Sequence, residues 1–413
     1  MNRLVLIGNG FDLAHGLPTS YQAFINWYWD GRFNCLRDTF TPVSKARLCE
    51  MTVKVSPTWH NFFEQGPSIL YEYKGVELFF ELCKRGICRD TMTPLFERIH
   101  KSIETKGWVD IENDYYELLK KYVLENAPED QIDALNTELH DLQELLVLYL
   151  KSIEISDKIA KGEIRKKIYG VFKTKDISIS GQNALQEHIE LAFKREDIEW
   201  RWLSELYENN SLSKGYVDGY RVKYEKNPNI LNEEEPPMEL MLPNQIMLLN
   251  FNYTHTADLY CKKGYIFTVN QIHGNLNNPK SVIFGYGDEL DNNYKSIVDK
   301  NENMFLGNIM SIKYLEADNY RKLLSFIESE PYQIVIMGHS CGNSDRTLLN
   351  TLFEHKNCVS IKPYYYKWGK GEKDDNYIDL VQNISRNFKD MKLMRDRVVN
   401  KTYCEPLTNR NNN

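Results

Sequence analysis

The chain has 413 residues, 42% of them hydrophobic and 26% charged, with a formal net charge of −7 and eight cysteines. Its length exceeds a usual single domain, so two domains, or one large domain carrying an insertion, are expected. The acidic balance argues against non-specific binding of nucleic acid or anionic membrane, the cysteines form no Cys-x-x-Cys pair that would suggest a zinc site or disulfide framework, and no run approaches the ~18 apolar residues of a membrane span.

In "LVLIGNGFDLAHGLPTS" the apolar run Leu4–Ile7 reads as one buried strand. Four apolar residues are too few for a signal peptide, and a cytoplasmic location is expected. The strand stops at Gly8-Asn9-Gly10, Phe11–His15 makes a first helical turn, and Gly16-Leu17-Pro18 turns the chain again. An aromatic-rich helical pattern follows over Tyr21–Trp29. From about residue 66 to 225 the pattern is helical, with apolar residues three and four apart over Ile111–Leu124, Gln131–Ile155 and Ala184–Tyr207. "NPNILNEEEPPMELMLPN" carries four glutamates and four prolines and reads as a linker. Beyond it "QIMLLNFNYT", "GYIFTVNQIHG", "SVIFGYG", "YQIVIMGHS" and "CVSIKPYYY" are strand-like, and the helical patterns "DNYRKLLSFIES" and "SDRTLLNTLFEH" alternate with the later ones. Strands alternating with helices indicate an α/β fold with a mostly parallel sheet. The opening strand has no hairpin partner nearby and is placed in that same sheet. The expected organisation is therefore an α/β nucleotide-binding domain from residues 1–65 and 240–400, an inserted helical domain over 66–239, and a polar tail over 401–413 that ends in a disordered "NRNNN".

Ligands of open α/β sheets bind where strand carboxyl ends meet a crevice. A glycine turn there lets backbone N–H groups and a helix N-terminus approach a phosphate, which suits Gly8 and Gly10, with Asn9 or Asp12 to cap the helix or bond a ribose. Leu13 stands where the dinucleotide pattern G-x-G-x-x-G needs its third glycine, and a plain tight turn is the alternative. Asn250, Asn252 and Thr254 alternate along a strand and so share a side; His273, followed by Gly274, ends another. A turn-forming asparagine and a structural histidine are the competing readings. Gly338-His339-Ser340-Cys341-Gly342 matches the G-x-S-x-G nucleophile elbow, yet only His355 follows, on the next helix, so the stretch reads better as a second glycine turn with Ser344-Asp345 capping that helix. "GWVDIENDYYELL" and "EDIEWRWLSELYEN" repeat a Trp, Asp-Ile-Glu and Tyr theme, read as core packing with an acidic solvated face or as Glu112 and Glu199 reaching the site or a trigger. Asp288-Glu289 and Asp345 are the carboxylates a metal-dependent nuclease would use, but their spacing matches no nuclease pattern.

"LVLIGNGFDLAHGLPTSY", "WVDIENDYY", "LNFNYTHT", "IHGN", "FGYGDE", "GHSCGNSD" and "NISRNF", in that order, resemble the AbiH family of bacteriophage abortive-infection proteins. A more distant resemblance is to sirtuin-like domains, in which a glycine turn after the first strand is followed by Gly-Ile-Pro, a T-x-N-x-D strand end and a His-Gly. It implies a Rossmann-like, sirtuin-like sheet flanked by helices, NAD as substrate, and cleavage of the nicotinamide–ribose bond without a metal. Asn252 then falls at the catalytic asparagine and His273 at the catalytic histidine. The nucleotide-binding set implied is Gly8, Asn9, Gly10, Phe11, Asp12, Pro18, Thr254, Gly274, Gly338, His339, Ser340, Ser344 and Asp345. Phe11 and Asp12 replace smaller residues, Thr254 replaces the usual aspartate, and the zinc-binding cysteine pairs of deacetylating sirtuins are absent, so hydrolysis of NAD is expected and not protein deacetylation. Partners on this reading are NAD or a related nucleotide, a phage trigger that the sequence does not name, and other copies of the chain, with no membrane. The competing classes are a nucleotide-binding sensor without chemistry and a defence nuclease.

Overall fold

The computed structural model describes residues 1–39, 72–85, 92–154, 159–194, 214–227, 230–231, 234–261, 267–369, 371 and 373–408. Five strands, β1 (Asn2–Ile7), β2 (Ile246–Asn250), β3 (Phe267–Gln271), β4 (Tyr332–Met337) and β5 (Cys358–Tyr364), pair in the order β3-β2-β1-β4-β5. Every pairing is parallel. The residues of β1, β2, β4 and β5 are buried throughout, as expected of a parallel sheet covered on both faces. "SVIFGYG" forms no strand: Val282, Ile283, Phe284 and Tyr286 are buried, but only Tyr286 makes a bridge, to Ile309. A short apolar run buried in irregular backbone carries the same pattern as a strand.

The described helices are α1 (Asn9–Ala14), α2 (Tyr21–Thr39), α3 (Gly75–Lys84), α4 (Pro94–Lys106), α5 (Ile111–Glu125), α6 (Glu129–Ile153), α7 (Gly162–Tyr169), α8 (Gln182–Phe193), α9 (Lys214–Lys226), α10 (Tyr294–Val298), α11 (Met310–Lys313), α12 (Asn319–Ser329), α13 (Arg346–Glu354), α14 (Tyr377–Arg386) and α15 (Met391–Arg397). The helical pattern expected to reach Tyr207 is described as far as Lys194; Glu199 and the "NRNNN" end lie outside the described residues. No described helix is long and apolar enough to cross a membrane.

Compactness divides the chain into one unit of residues 1–16, 155–282 and 314–413 and another of 17–154 and 283–313, whereas the sequence suggested boundaries at 65 and 239. In the first unit, Val5, Ile7, Leu248, Val335 and Met337 of the sheet form one core with Ile164, Ile168 and Tyr169 of α7. Phe172, Leu185, Ile189, Tyr220, Leu240, Met241 and Val359 form another. The stretch read as a linker thus contributes buried side chains, and Phe172 N–H donates to the Met241 carbonyl at 2.8 Å. The outer edge of β5 is covered by the C-terminal segment: Val399 N–H donates to Ile361 O at 2.9 Å and Leu407 N–H to Tyr365 O at 2.8 Å. Lys362 of β5 is buried and pairs with Asp176 at 2.7 Å.

The second unit is helical. Pro94 opens α4 without a side-chain cap on Thr93. Its orphan N–H groups at Leu95 and Phe96 instead donate to the Glu138 carboxylate of α6, at 3.2 and 2.8 Å. In "WVDIENDYY", Asp110 caps α5 through Asn113 N–H at 3.0 Å, Asp114 meets Arg98 at 3.1 Å, Tyr115 donates to Asn136 at 2.7 Å, and Tyr116 stacks on Tyr286 with centroids 3.9 Å apart. This motif knits the helices of the unit together, and Glu112 sits in the first turn of α5. Trp29 stacks on Phe79 at 4.2 Å and donates its indole N–H to His100 Nε2 at 2.7 Å.

Candidate functional site

The strand register decides where the chemistry-bearing residues meet. Ile7 pairs with Asn250 and with Met337, Asn250 with Gln271, and Met337 with Tyr364. The five carboxyl ends therefore lie in one row, and the loops beginning at Gly8, Phe251, Ile272 and Gly338 leave the sheet side by side. This row gathers most of the residues expected from sequence.

The two glycine turns pack into each other. Gly8 N–H donates to Met337 O at 3.3 Å, Gly10 N–H to Gly338 O at 2.8 Å, and Phe11 N–H to Gly8 O at 2.8 Å. These donors were expected to face a phosphate; they are taken up by protein carbonyls. What demands glycine is close approach. A Cβ on Gly8 would lie 2.5 Å from His339 Cα, one on Gly10 2.9 Å from Gly338 Cα, and one on Gly338, itself at φ +74°, 2.1 Å from the Phe11 nitrogen.

Asn250 ends β2 and turns the next loop. Its amide donates to Thr254 O at 3.1 Å and to Gln271 Oε1 at 2.9 Å, while its own oxygen accepts Asn252 N–H at 3.1 Å. The strand alternation expected over Asn250, Asn252 and Thr254 therefore stops at Asn250. Asn252 is half-buried and donates from Nδ2 to Gly8 O at 3.0 Å, tying this loop to the first turn. Thr254 donates to Asp12 Oδ2 at 2.6 Å, both side chains buried.

Two histidines and an aspartate complete the row. His273 Nε2 lies 3.0 Å from Tyr314 Oη and 3.4 Å from Asp345 Oδ1, and His339 Nε2 lies 3.4 Å from Asp345 Oδ2. The Phe251 ring meets both imidazoles, at centroid distances of 5.3 Å to His273 and 4.1 Å to His339. Asp345 stands at the N-cap of α13 but makes no side-chain cap bond, contrary to the capping role expected of it. Burial pushes its carboxyl up, but hydrogen bonding from His273 and His339 outweighs this and holds it well below the usual carboxylate range.

The remaining motif residues separate clearly. Ser340 is exposed and His355 pairs with Glu328 at 3.1 Å, so the elbow serine is not matched to that histidine. Besides Gly338, the turn has a left-handed residue in Cys341, at φ +54°, whose buried thiol is pushed up by burial and by the Asp345 charge and stays protonated. Gly274 holds φ +78°, and Ser344 is buried beside Asp345 in sequence. Pro18 belongs to the second unit, where its carbonyl accepts from Tyr149 at 2.5 Å. Asp288 and Glu289 belong to that unit as well. Among the described residues no three His, Cys, Asp or Glu side chains are grouped to hold a metal ion.

The family model for bacteriophage abortive infection AbiH matches residues 4–366. The chain belongs to the AbiH family. That membership gives it a role in abortive infection by bacteriophage, and the matched span includes every candidate residue from Gly8 to Asp345. No curated protein and no solved structure matches the chain. Two contacts of this AbiH-family site come from beyond the matched span: Asn383 of α14 donates to Ser340 O at 2.9 Å, and Asn387 to Cys341 O at 3.0 Å. Their four-residue spacing in "NISRNF" places both amides on one helical face and was a usable signal. Tyr314 and Phe251 had none.

Proposed function

We propose that this AbiH-family chain hydrolyses NAD at the nicotinamide–ribose bond and so depletes the infected cell of the nucleotide, its sheet being a Rossmann-like, sirtuin-like nucleotide domain. The observation that carries the reading is the row of strand carboxyl ends that gathers Asn252, His273, His339 and Asp345 at the place where strand order reverses, between β1 and β4. Crevices at such reversals are where open α/β sheets take their ligands. The pairing of Thr254 with Asp12 supports it too, since a carboxylate reaches the position where sirtuin-like domains use an aspartate.

The residue types suit the chemistry. Nicotinamide leaves as a neutral group from an oxocarbenium-like ribose, so no strong general acid is called for. Asn252, tethered through Nδ2 to Gly8 O, keeps an amide oxygen to orient water. His273 takes the proton that water loses. Because the N–H groups of Gly8, Gly10 and Phe11 are already bonded, the pyrophosphate is held by side chains and not by that turn. Incubation of the purified protein with NAD, with and without EDTA and beside His273→Ala, tests the reading through free nicotinamide. Release that needs His273 and ignores EDTA is expected. NAD bound but left intact would replace the enzyme by a sensor, and EDTA-sensitive attack on nucleic acid would replace it by a nuclease.

A further inference from the structure

The two histidines of the site are bonded differently. His339 Nδ1 accepts the Cys341 backbone N–H at 2.9 Å, so this nitrogen carries no proton and the ring's N–H is at Nε2, on the side of Asp345 Oδ2. The donor is set by the left-handed Cys341, a conformation uncommon for a residue other than glycine, asparagine or aspartate, and Asn387 anchors the Cys341 carbonyl. His273 is different: its contacts to Tyr314 Oη and Asp345 Oδ1 are both at Nε2, and no described residue bonds Nδ1. Asp345 Oδ1 is buried at 3.4 Å from His273 Nε2, and Asp345 leaves its helix uncapped. Phe251 lies edge-on to both rings.

The geometry points to a division of labour, resting on the NAD-cleaving reading, in which Asp345 is the positioning residue, His339 is a fixed donor that anchors it, and His273 alone exchanges a proton. As the water oxygen bonds to the anomeric ribose carbon, its proton passes to His273 Nδ1. The carbon–nitrogen bond breaks and its electron pair leaves with neutral nicotinamide. The imidazolium so formed turns its Nε2–H from Tyr314 to Asp345 Oδ1. NAD and water become nicotinamide, ADP-ribose and one proton held on His273.

Asp345→Asn tests this. Its amide oxygen can still accept from His339, while its NH₂ donates to His273 Nε2 and forces that ring's proton onto Nδ1, where it blocks proton uptake. The kcat for nicotinamide release is expected to fall by about 10²–10⁴ with KM for NAD little changed. Long-range ¹H–¹⁵N spectra of the imidazoles should show His273 Nδ1 passing from unprotonated to protonated, and His339 Nδ1 unprotonated in the wild type. His273→Gln should lose kcat to at least the same extent. An unchanged His273 tautomer in Asp345→Asn, or a kcat within about twofold of wild type, overturns the assignment. So does a protonated His339 Nδ1 in the wild type, a measurement that needs no variant to fold. The nitrogen spectra also need no substrate, so they judge Asp345 even where the chain leaves NAD intact, a result that overturns the functional reading instead.

Discussion

Gly338→Ala is the substitution that most directly probes how the two glycine turns hold the site. The added methyl would sit 2.1 Å from the Phe11 nitrogen and 2.4 Å from the Gly10 carbonyl carbon, both backbone atoms, on a residue at φ +74°. Left-handed backbone costs an L-residue about 1–2 kcal/mol, and forcing a methyl into packed backbone costs about 1–3 kcal/mol. The sum, about 2–5 kcal/mol, corresponds to a fall in Tm of roughly 4–20 °C for a domain of about 150–250 residues. Gly342, four residues along the same loop, is the control: its φ is −69° and a Cβ there would meet only Ser340 Oγ, at 3.6 Å. Gly342→Ala should stay within about 0.5 kcal/mol of wild type. Thermal and urea unfolding of both variants measures the difference. Equal midpoints for Gly338→Ala and Gly342→Ala would refute the close-approach argument.

Burial lowers His100 from 6.5 to about 4, against the hydrogen bond to the Phe96 carbonyl that raises it. Its folded form stays neutral where the unfolded chain takes up a proton, so its contribution is full above pH about 6.5 and is lost as pH falls toward about 4, by about 3 kcal/mol in all. Urea midpoints between pH 7 and 4 should therefore fall less steeply in His100→Gln than in wild type, and parallel slopes would count against the buried neutral ring. The buried Lys362–Asp176 pair gives a further test. Lys362→Met alone should cost about 3–5 kcal/mol by stranding a carboxylate, and most of that loss should return in the Lys362→Met, Asp176→Leu double variant; an equal loss in both would mean that the ion pair itself is stabilising.

Much of the sheet was legible because β1, β2 and β4 are buried on both faces and so carry apolar runs that stop at Gly or Asn, while β5 reads as a strand from its β-branched and aromatic residues despite Ser360 and Lys362. The approach of "GNG", "NFNYT", "IHG" and "GHSCG" followed from parallel pairing, which brings all strand carboxyl ends to one edge. "SVIFGYG" failed because buried irregular backbone and a buried strand have the same composition. The turn glycines were read through an expected ligand, but what requires them is another glycine turn more than three hundred residues away, at Gly338. Asp345 was read as a cap because Ser-Asp before a helix usually is one. Its attachment to His273 and His339 is made across loops that no local spacing connects. Residues 155–241 look like part of a helical insertion, yet Phe172, Leu240 and Met241 are core residues of the strand-bearing unit.

Depletion of NAD as the protective act is open to measurement inside infected cells. Total NAD should be followed after infection, by a phage against which the chain protects, in cells carrying the wild type or His273→Gln. NAD is expected to collapse before lysis in wild-type cells alone, with nicotinamide rising in step, and the variant neither to deplete NAD nor to protect. Protection with NAD undiminished would contradict it.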